Sequence, residues 1–140
     1  MPTLEDAISL AVKAHRGRKD KAGAAYILHP LRVMLHMKTK DERVVAVLHD
    51  VIEDTNYTLE DLRKIGYSQK ILQSLDYLTK RDEEGYEEFI KRVKHNPLAR
   101  KIKIGDIEDN LDLGRIKKPK KRDFIHIEKY RRALSELMKG

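Results

Sequence analysis

His49-Asp50-Val51-Ile52-Glu53-Asp54 closes the most apolar stretch of the chain, a run that opens at Asp41. At about 100° of turn per residue, Val44, Val45, Val47, Leu48, Val51 and Ile52 cover one broad arc of a helix predicted over Asp41 to Asp54. His49, Asp50, Glu53 and Asp54 fill the complementary arc. The apolar arc drives the helix into a core, yet its other side carries an imidazole and three carboxylates. Burying such a cluster without partners is costly. It is relieved either by exposure to water or by a cation that neutralises the carboxylates and takes the imidazole as a ligand.

Two other segments bear on that choice. His29 stands beside Pro30, a residue suited to the first turn of a helix, and Asp106 and Asn110 lie one turn apart on a later helix patterned by Ile102, Ile104, Ile107 and Leu111. A set of two histidines and two aspartates with no thiolate suits a borderline or hard divalent ion in octahedral coordination, with positions left for water and a phosphate oxygen. Mn²⁺ is the leading expectation, another divalent ion being possible. Glu53 and Asp54, one turn beyond His49 and Asp50, are placed to take a proton from the attacking water.

Outward from this centre the chain reads as helices throughout. A first helix, capped by Thr3 with Asp6, is expected to run to about Arg16, and residues 17–25 to form a loop. Helices follow from Pro30 to about Met37, from Thr58 to a stop at Gly66, and from Ser68 to about Thr79. Others are expected over Tyr86 to Lys94, from Leu98 to about Leu113 after the Asn96-Pro97 break, and over Asp123 to Met138. No alternating strand pattern, repeat or linker is visible. The expected fold is all-α, an irregular helical bundle with residues 1–140 as one domain.

Composition narrows the function. With 38% charged and 40% hydrophobic residues and a mean hydropathy of -0.65, the chain reads as globular with a charged surface. The absence of cysteine excludes disulfides, thiolate nucleophiles and Cys-ligated metals. An acidic N-terminus and the lack of a long apolar run argue against a signal peptide or membrane span, and a cytoplasmic location is expected. Much of the +7 net charge lies in Lys117-Lys118-Pro119-Lys120-Lys121-Arg122. That run is either a solvated loop or an anion-attracting patch. Aromatic residues do not interleave with it, so nucleic-acid binding is not expected.

Arg18-Lys19, Tyr26-Ile27-Leu28-His29-Pro30, His49 to Thr55, and Lys103-Ile104-Gly105-Asp106 with Asn110 occur in an order and spacing that resembles the HD-superfamily phosphohydrolases. The similarity is strongest to the hydrolase domain of RelA/SpoT-type enzymes and stand-alone small alarmone hydrolases, and it runs from about residue 5 to residue 115. It implies an HD-type helical bundle and a Mn²⁺ site made by His29, His49, Asp50 and Asp106. Glu53 and Asp54 would activate or orient the attacking water. Arg18 and Lys19 would flank the base or phosphates, and Asn110 would contact the ribose or phosphate region. The implied reaction is hydrolysis of the 3′-pyrophosphate of guanosine tetra- or pentaphosphate to GDP or GTP and pyrophosphate, in keeping with the stringent response. Ala24-Ala25 and Leu113 depart from the pattern on the side of the substrate pocket.

The alternatives are the same chemistry on another phosphorylated nucleotide, or a non-catalytic nucleotide-binding regulator. The expected partner in each case is a small phosphorylated nucleotide. His15 is expected to be a core or supporting histidine, His36, His95 and His126 surface residues, and Tyr130 a core aromatic. The sequence leaves the oligomeric state open.

Overall fold

A computed structural model describes residues 1–112 and 120–139. Within them the chain forms helices α1 (Leu4–His15), α2 (Leu28–Leu35), α3 (Lys40–Leu48), α4 (Val51–Asp54), α5 (Leu59–Ile65), α6 (Gln69–Tyr77), α7 (Tyr86–Val93), α8 (Pro97–Asn110) and α9 (Lys121–Met138). No strand occurs among the described residues, as expected for the all-α class. Leu113 and the Lys117 to Pro119 part of the basic run lie outside them, and Lys120, Lys121 and Arg122 are exposed.

Local chemistry sets most of the helix starts. Thr3 with Asp6, Thr39 with Glu42, and Thr58 with Asp61 form reciprocal capping boxes, each satisfying two backbone donors that the helix itself leaves unpaired. Ser68 and Asn96 cap α6 and α8 through single side-chain acceptors. Gly66 ends α5 at φ 114°, a conformation open to glycine at little cost.

Centrally placed, α3 packs against α1, α2, α6 and α8. Val44, Val45, Ala46, Val47 and Leu48 are all buried, five in succession, so this helix is enclosed on every side. Burying each valine or leucine contributes about 1.5–3 kcal/mol. Against α3 and α2, α8 makes a close approach at Gly105, where a Cβ would stand 2.9 Å from Met37 Cε and 3.4 Å from Val33 Cγ1. That approach brings Asp106 opposite His29.

Two expectations need correction. The helix predicted over Asp41 to Asp54 is broken between Leu48 and Val51. His49 donates from its backbone to Ala46, one residue short of the α-helical partner, and Asp50 takes φ -101° and ψ -3°. This bridge conformation recurs at active sites, and here it turns the His49 and Asp50 side chains toward α2 and α8. Second, His29 is inside α2, which starts at Leu28. Pro30 still lies in the first turn, where its missing N–H costs nothing.

Candidate metal centre and active site

The loop over residues 17–25 is a tight hairpin. Lys19 pairs with Ala25, Asp20 accepts from the backbone of Ala22 at 2.9 Å and Ala24 at 3.0 Å, and Gly17 and Gly23 supply positive φ. The folded loop presents Arg18 to the site. Its guanidinium stacks 3.9 Å from the Tyr26 ring centroid and its Nη1 lies 3.1 Å from Asp54 Oδ2. The Tyr26 hydroxyl in turn donates to Asp50. A continuous polar chain thus runs from Asp54 through Arg18 and Tyr26 to Asp50.

Asp50 belongs to a compact cluster with His29, His49 and Asp106. His29 Nε2 lies 2.9 Å from Asp106 Oδ1 and 3.7 Å from Asp50 Oδ2, and His49 Nε2 lies 3.2 Å from Asp50 Oδ2 and 3.5 Å from Asp106 Oδ1. Adjacent ligands in an octahedral site with bonds of ~2.1 Å stand about 3 Å apart. The cluster therefore has the spacing of a coordination shell. Ligand atoms of His29, His49 and Asp106 all fall within 4.8 Å of one another, and the three residues are buried.

His49 supplies the sharpest test of fit. Its Nδ1 donates to the Ala46 carbonyl at 2.6 Å, which leaves Nε2 facing the carboxylates, buried and without a hydrogen-bond partner. Fixing the proton on one nitrogen frees the other as a ligand. The donor set fits a divalent cation. Charge balance agrees: burial alone would lower the basicity of both imidazoles. At His49 the carboxylates of Asp50 and Asp106 reverse this, and at His29 hydrogen bonds to Asp106 and Asp109 do so. Burial likewise opposes ionisation of Asp106, but Lys103 and His49 hold its carboxyl far below the usual range.

Asp106 has further partners. Lys103, three residues earlier on α8, donates to Oδ2 at 2.8 Å, and the Asn110 amide donates to Oδ1 at 3.1 Å. Asn110 thus reaches the carboxylate that faces the two histidines as well as the adjoining cleft. Burial raises the carboxyl of Glu53, which also receives a hydrogen bond from the Lys80 backbone. Asp54, by contrast, is engaged with Arg18. The structure thus separates two acids that look equivalent in the sequence.

Beside the cluster opens a cleft of about 280 Å³, with Arg18, Lys19 and Lys21 along one wall and Tyr26, His126 and Tyr130 among its aromatic lining. A second cleft, of about 440 Å³ between α7 and α9, contains none of the cluster residues. His126 corrects the sequence reading, whereas Tyr130 packs against the core as expected and also lines the cleft. The imidazole is half-buried with its Nδ1 lacking a hydrogen-bond partner, and it stacks on Tyr130 at 6.1 Å between ring centroids. Their i, i+4 spacing on α9 was the available signal. His36 and His95 are exposed as expected, and His15 is buried against Tyr26.

Two residues escaped the sequence reading. Asp109 Oδ2 lies 2.6 Å from His29 Nδ1, and Arg32 grips the same carboxylate at 2.8 and 3.1 Å. Asp109 follows Asp106 by three, and Arg32 follows His29 by three, so helical spacing from these two cluster residues was the clue. Among the described residues, no helix is long and apolar enough to cross a membrane.

No family model matches the chain. Among curated proteins it is 33% identical over 134 residues to the "Bifunctional (p)ppGpp synthase/hydrolase SpoT" of Escherichia coli K12, covering 85% of this chain and 19% of that protein. It is 31% identical over 133 residues to a "GTP pyrophosphokinase" of Streptomyces coelicolor, covering 86% of this chain and 16% of that protein. A third relative is the "Guanosine-3′,5′-bis(diphosphate) 3′-pyrophosphohydrolase" of Aquifex aeolicus, 27% identical over 120 residues, 77% of this chain and 17% of that protein. The chain therefore spans less than a fifth of the length of these relatives. A solved structure described by the words "A metazoan ortholog of SpoT hydrolyzes ppGpp and plays a role in starvation responses" superposes with a TM-score of 0.77 at 21% identity, covering 96% of this chain and 85% of that one. In sequence the chain is a relative of RelA/SpoT-type enzymes, and its all-helical fold is that of their hydrolase domain.

Proposed function

We propose that the chain, acting as one domain over residues 1–140, is a Mn²⁺-dependent phosphohydrolase that removes pyrophosphate from the 3′ position of guanosine tetra- or pentaphosphate. The observation that carries this reading is the convergence of His29, His49, Asp50 and Asp106, with His49 Nε2 buried, facing two carboxylates and without a hydrogen bond of its own. The names of the Escherichia coli and Aquifex aeolicus relatives support the choice of substrate. A donor set of two imidazoles and two carboxylates without sulfur suits Mn²⁺.

When bound, such a cation supplies Lewis-acid polarisation of a phosphoryl oxygen and acidifies a water. The remaining work falls to the chain. Glu53, its carboxyl raised by burial, is the group suited to take the proton of the attacking water. Asp54 braces Arg18 at the cleft mouth. Arg18, Lys19 and Lys21 offer positive charge to the nucleotide phosphates, and the stacked guanidinium of Arg18 offers a flat surface to a base. Asn110 holds Asp106 from the cleft side.

The test is product analysis with purified protein, guanosine tetraphosphate and Mn²⁺. GDP and pyrophosphate in equal amounts are expected. Release of inorganic phosphate, or turnover confined to a nucleoside monophosphate, would replace this reading with a different HD phosphohydrolase. Binding without turnover of any nucleotide would make the protein a regulator.

A further inference from the structure

A histidine that ligates through Nε2 must keep its proton on Nδ1, and each ligand histidine needs an acceptor there. His49 uses the Ala46 carbonyl of its own helix. His29 uses a carboxylate from another helix, Asp109 Oδ2 at 2.6 Å.

That carboxylate is itself nearly buried, with 10% of its side chain exposed, and so needs compensation. Arg32 provides it through a two-pronged contact, Nε to Oδ1 at 2.8 Å and Nη2 to Oδ2 at 3.1 Å. The arrangement is reciprocal. On α2, His29 and Arg32 share a face at i, i+3, and on α8 Asp106 and Asp109 do the same. Each helix contributes one cluster residue and one member of the brace. A helix rotation that displaced the brace would displace the ligand with it.

We infer that Asp109, clamped by Arg32, is a positioning residue that fixes the His29 ring in the Nδ1–H form and aims Nε2 at the cluster shared with Asp106 and Asp50. This rests on the reading of that cluster as a metal site. A carboxylate acceptor also makes the ring a stronger donor ligand than a carbonyl does. His29 and His49 are then unequal ligands by design of their acceptors.

The experiment uses the full chain and two readouts: Mn²⁺ alone titrated by calorimetry, and the imidazole N–H resonances of the metal-free protein by ¹⁵N-edited NMR. In the wild type, His29 is expected to show a downfield Nδ1–H protected from exchange. Asp109→Leu should abolish that resonance and weaken Mn²⁺ binding by about 10–100-fold. Asp109→Asn, whose amide oxygen still accepts from Nδ1, should retain the resonance and lose less affinity. Arg32→Met should lower thermal stability while the resonance persists.

Wild-type affinity in a folded Asp109→Leu protein would overturn the inference. So would equal effects of Asp109→Leu and Arg32→Met on every readout, since Asp109 would then be only the partner of Arg32. If the wild type itself fails to bind Mn²⁺, the metal-site reading fails, and the resonance alone decides for Asp109: its loss in Asp109→Leu supports the inference and its survival overturns it.

Discussion

The ring of His49 donates its Nδ1 proton to the carbonyl of Ala46 at 2.6 Å, and this bond leaves Nε2 of a buried histidine facing the carboxylates of Asp50 and Asp106. It sits at the end of α3, where the backbone turns at Asp50 instead of continuing the helix. Asp106→Asn tests the cluster that this turn completes. The variant removes a carboxylate held by His29, Lys103 and Asn110, and should reduce Mn²⁺ affinity by ~100-fold or more, exceeding the 10–100-fold typical of supporting residues. Calorimetry with circular dichroism as the folding control measures it, and undiminished affinity would remove Asp106 from the ligand set.

Glu53→Gln separates binding from chemistry. Glu53 accepts a backbone hydrogen bond from Lys80 and stands apart from the cluster contacts, so metal affinity should hold while kcat falls by about 10²–10⁴-fold. An unchanged kcat would pass the base role to another group.

Arg18 and Asp54 should behave as a coupled pair. Arg18→Ala loses the stack on Tyr26 and the contact to Asp54, and should raise KM for the nucleotide. Asp54→Asn should raise KM by less, and the double variant should resemble Arg18→Ala. Additive effects in that cycle would show that Asp54 acts independently, closer to the reacting water.

Gly105 tests the packing that sets the site. Gly105→Ala should be tolerated at small cost, because the atom it meets first, Met37 Cε, is the far end of a flexible side chain. Gly105→Leu should cost about 1–3 kcal/mol by forcing α2 and α8 apart. It should also weaken metal binding, since His29 and Asp106 ride on those helices. Lost stability with intact metal affinity would mean that the cluster tolerates a wider helix spacing.

Glu84 offers a pH signature remote from the site. Hydrogen bonds from Arg92 at 2.7 and 2.9 Å hold its carboxyl at about 2 against an ordinary 4.5. The folded value lies below the unfolded one, so this contribution is complete above pH 4.5 and fades as pH falls toward 2. Glu84→Gln should therefore be less stable than wild type at neutral pH, and the gap should close on acidification. Urea unfolding across that range measures it, and a constant gap would assign the effect to packing.

Much of this architecture was legible because its signals are local. Thr3 with Asp6, Thr58 with Asp61, and Gly66 each announce a helix boundary within a few residues. The cluster was legible because an imidazole and a carboxylate, His49 and Asp50, are costly at the end of an apolar helix. The break at Asp50 was not, since the apolar arc runs through it unbroken and the His29 and Asp106 side chains that face the turn come from distant segments. Arg32 and Asp109 carry the helical spacing of His29 and Asp106, but their partnership exists only when α2 and α8 are packed. His126 and Tyr130 share a face of α9 at i, i+4, but only the docking of α9 on α7 and α8 brings that face to the cleft.

On the proposed reading, this cluster binds Mn²⁺ for removal of a 3′-pyrophosphate. Its most direct test is a metal add-back: protein stripped by chelation, then titrated with Mn²⁺ while pyrophosphate release from guanosine tetraphosphate is followed. The account predicts no turnover in the stripped protein, recovery that saturates near one equivalent of Mn²⁺ per chain, and none in Asp106→Asn. Full turnover in the stripped protein, or recovery unaffected by Asp106→Asn, would contradict it.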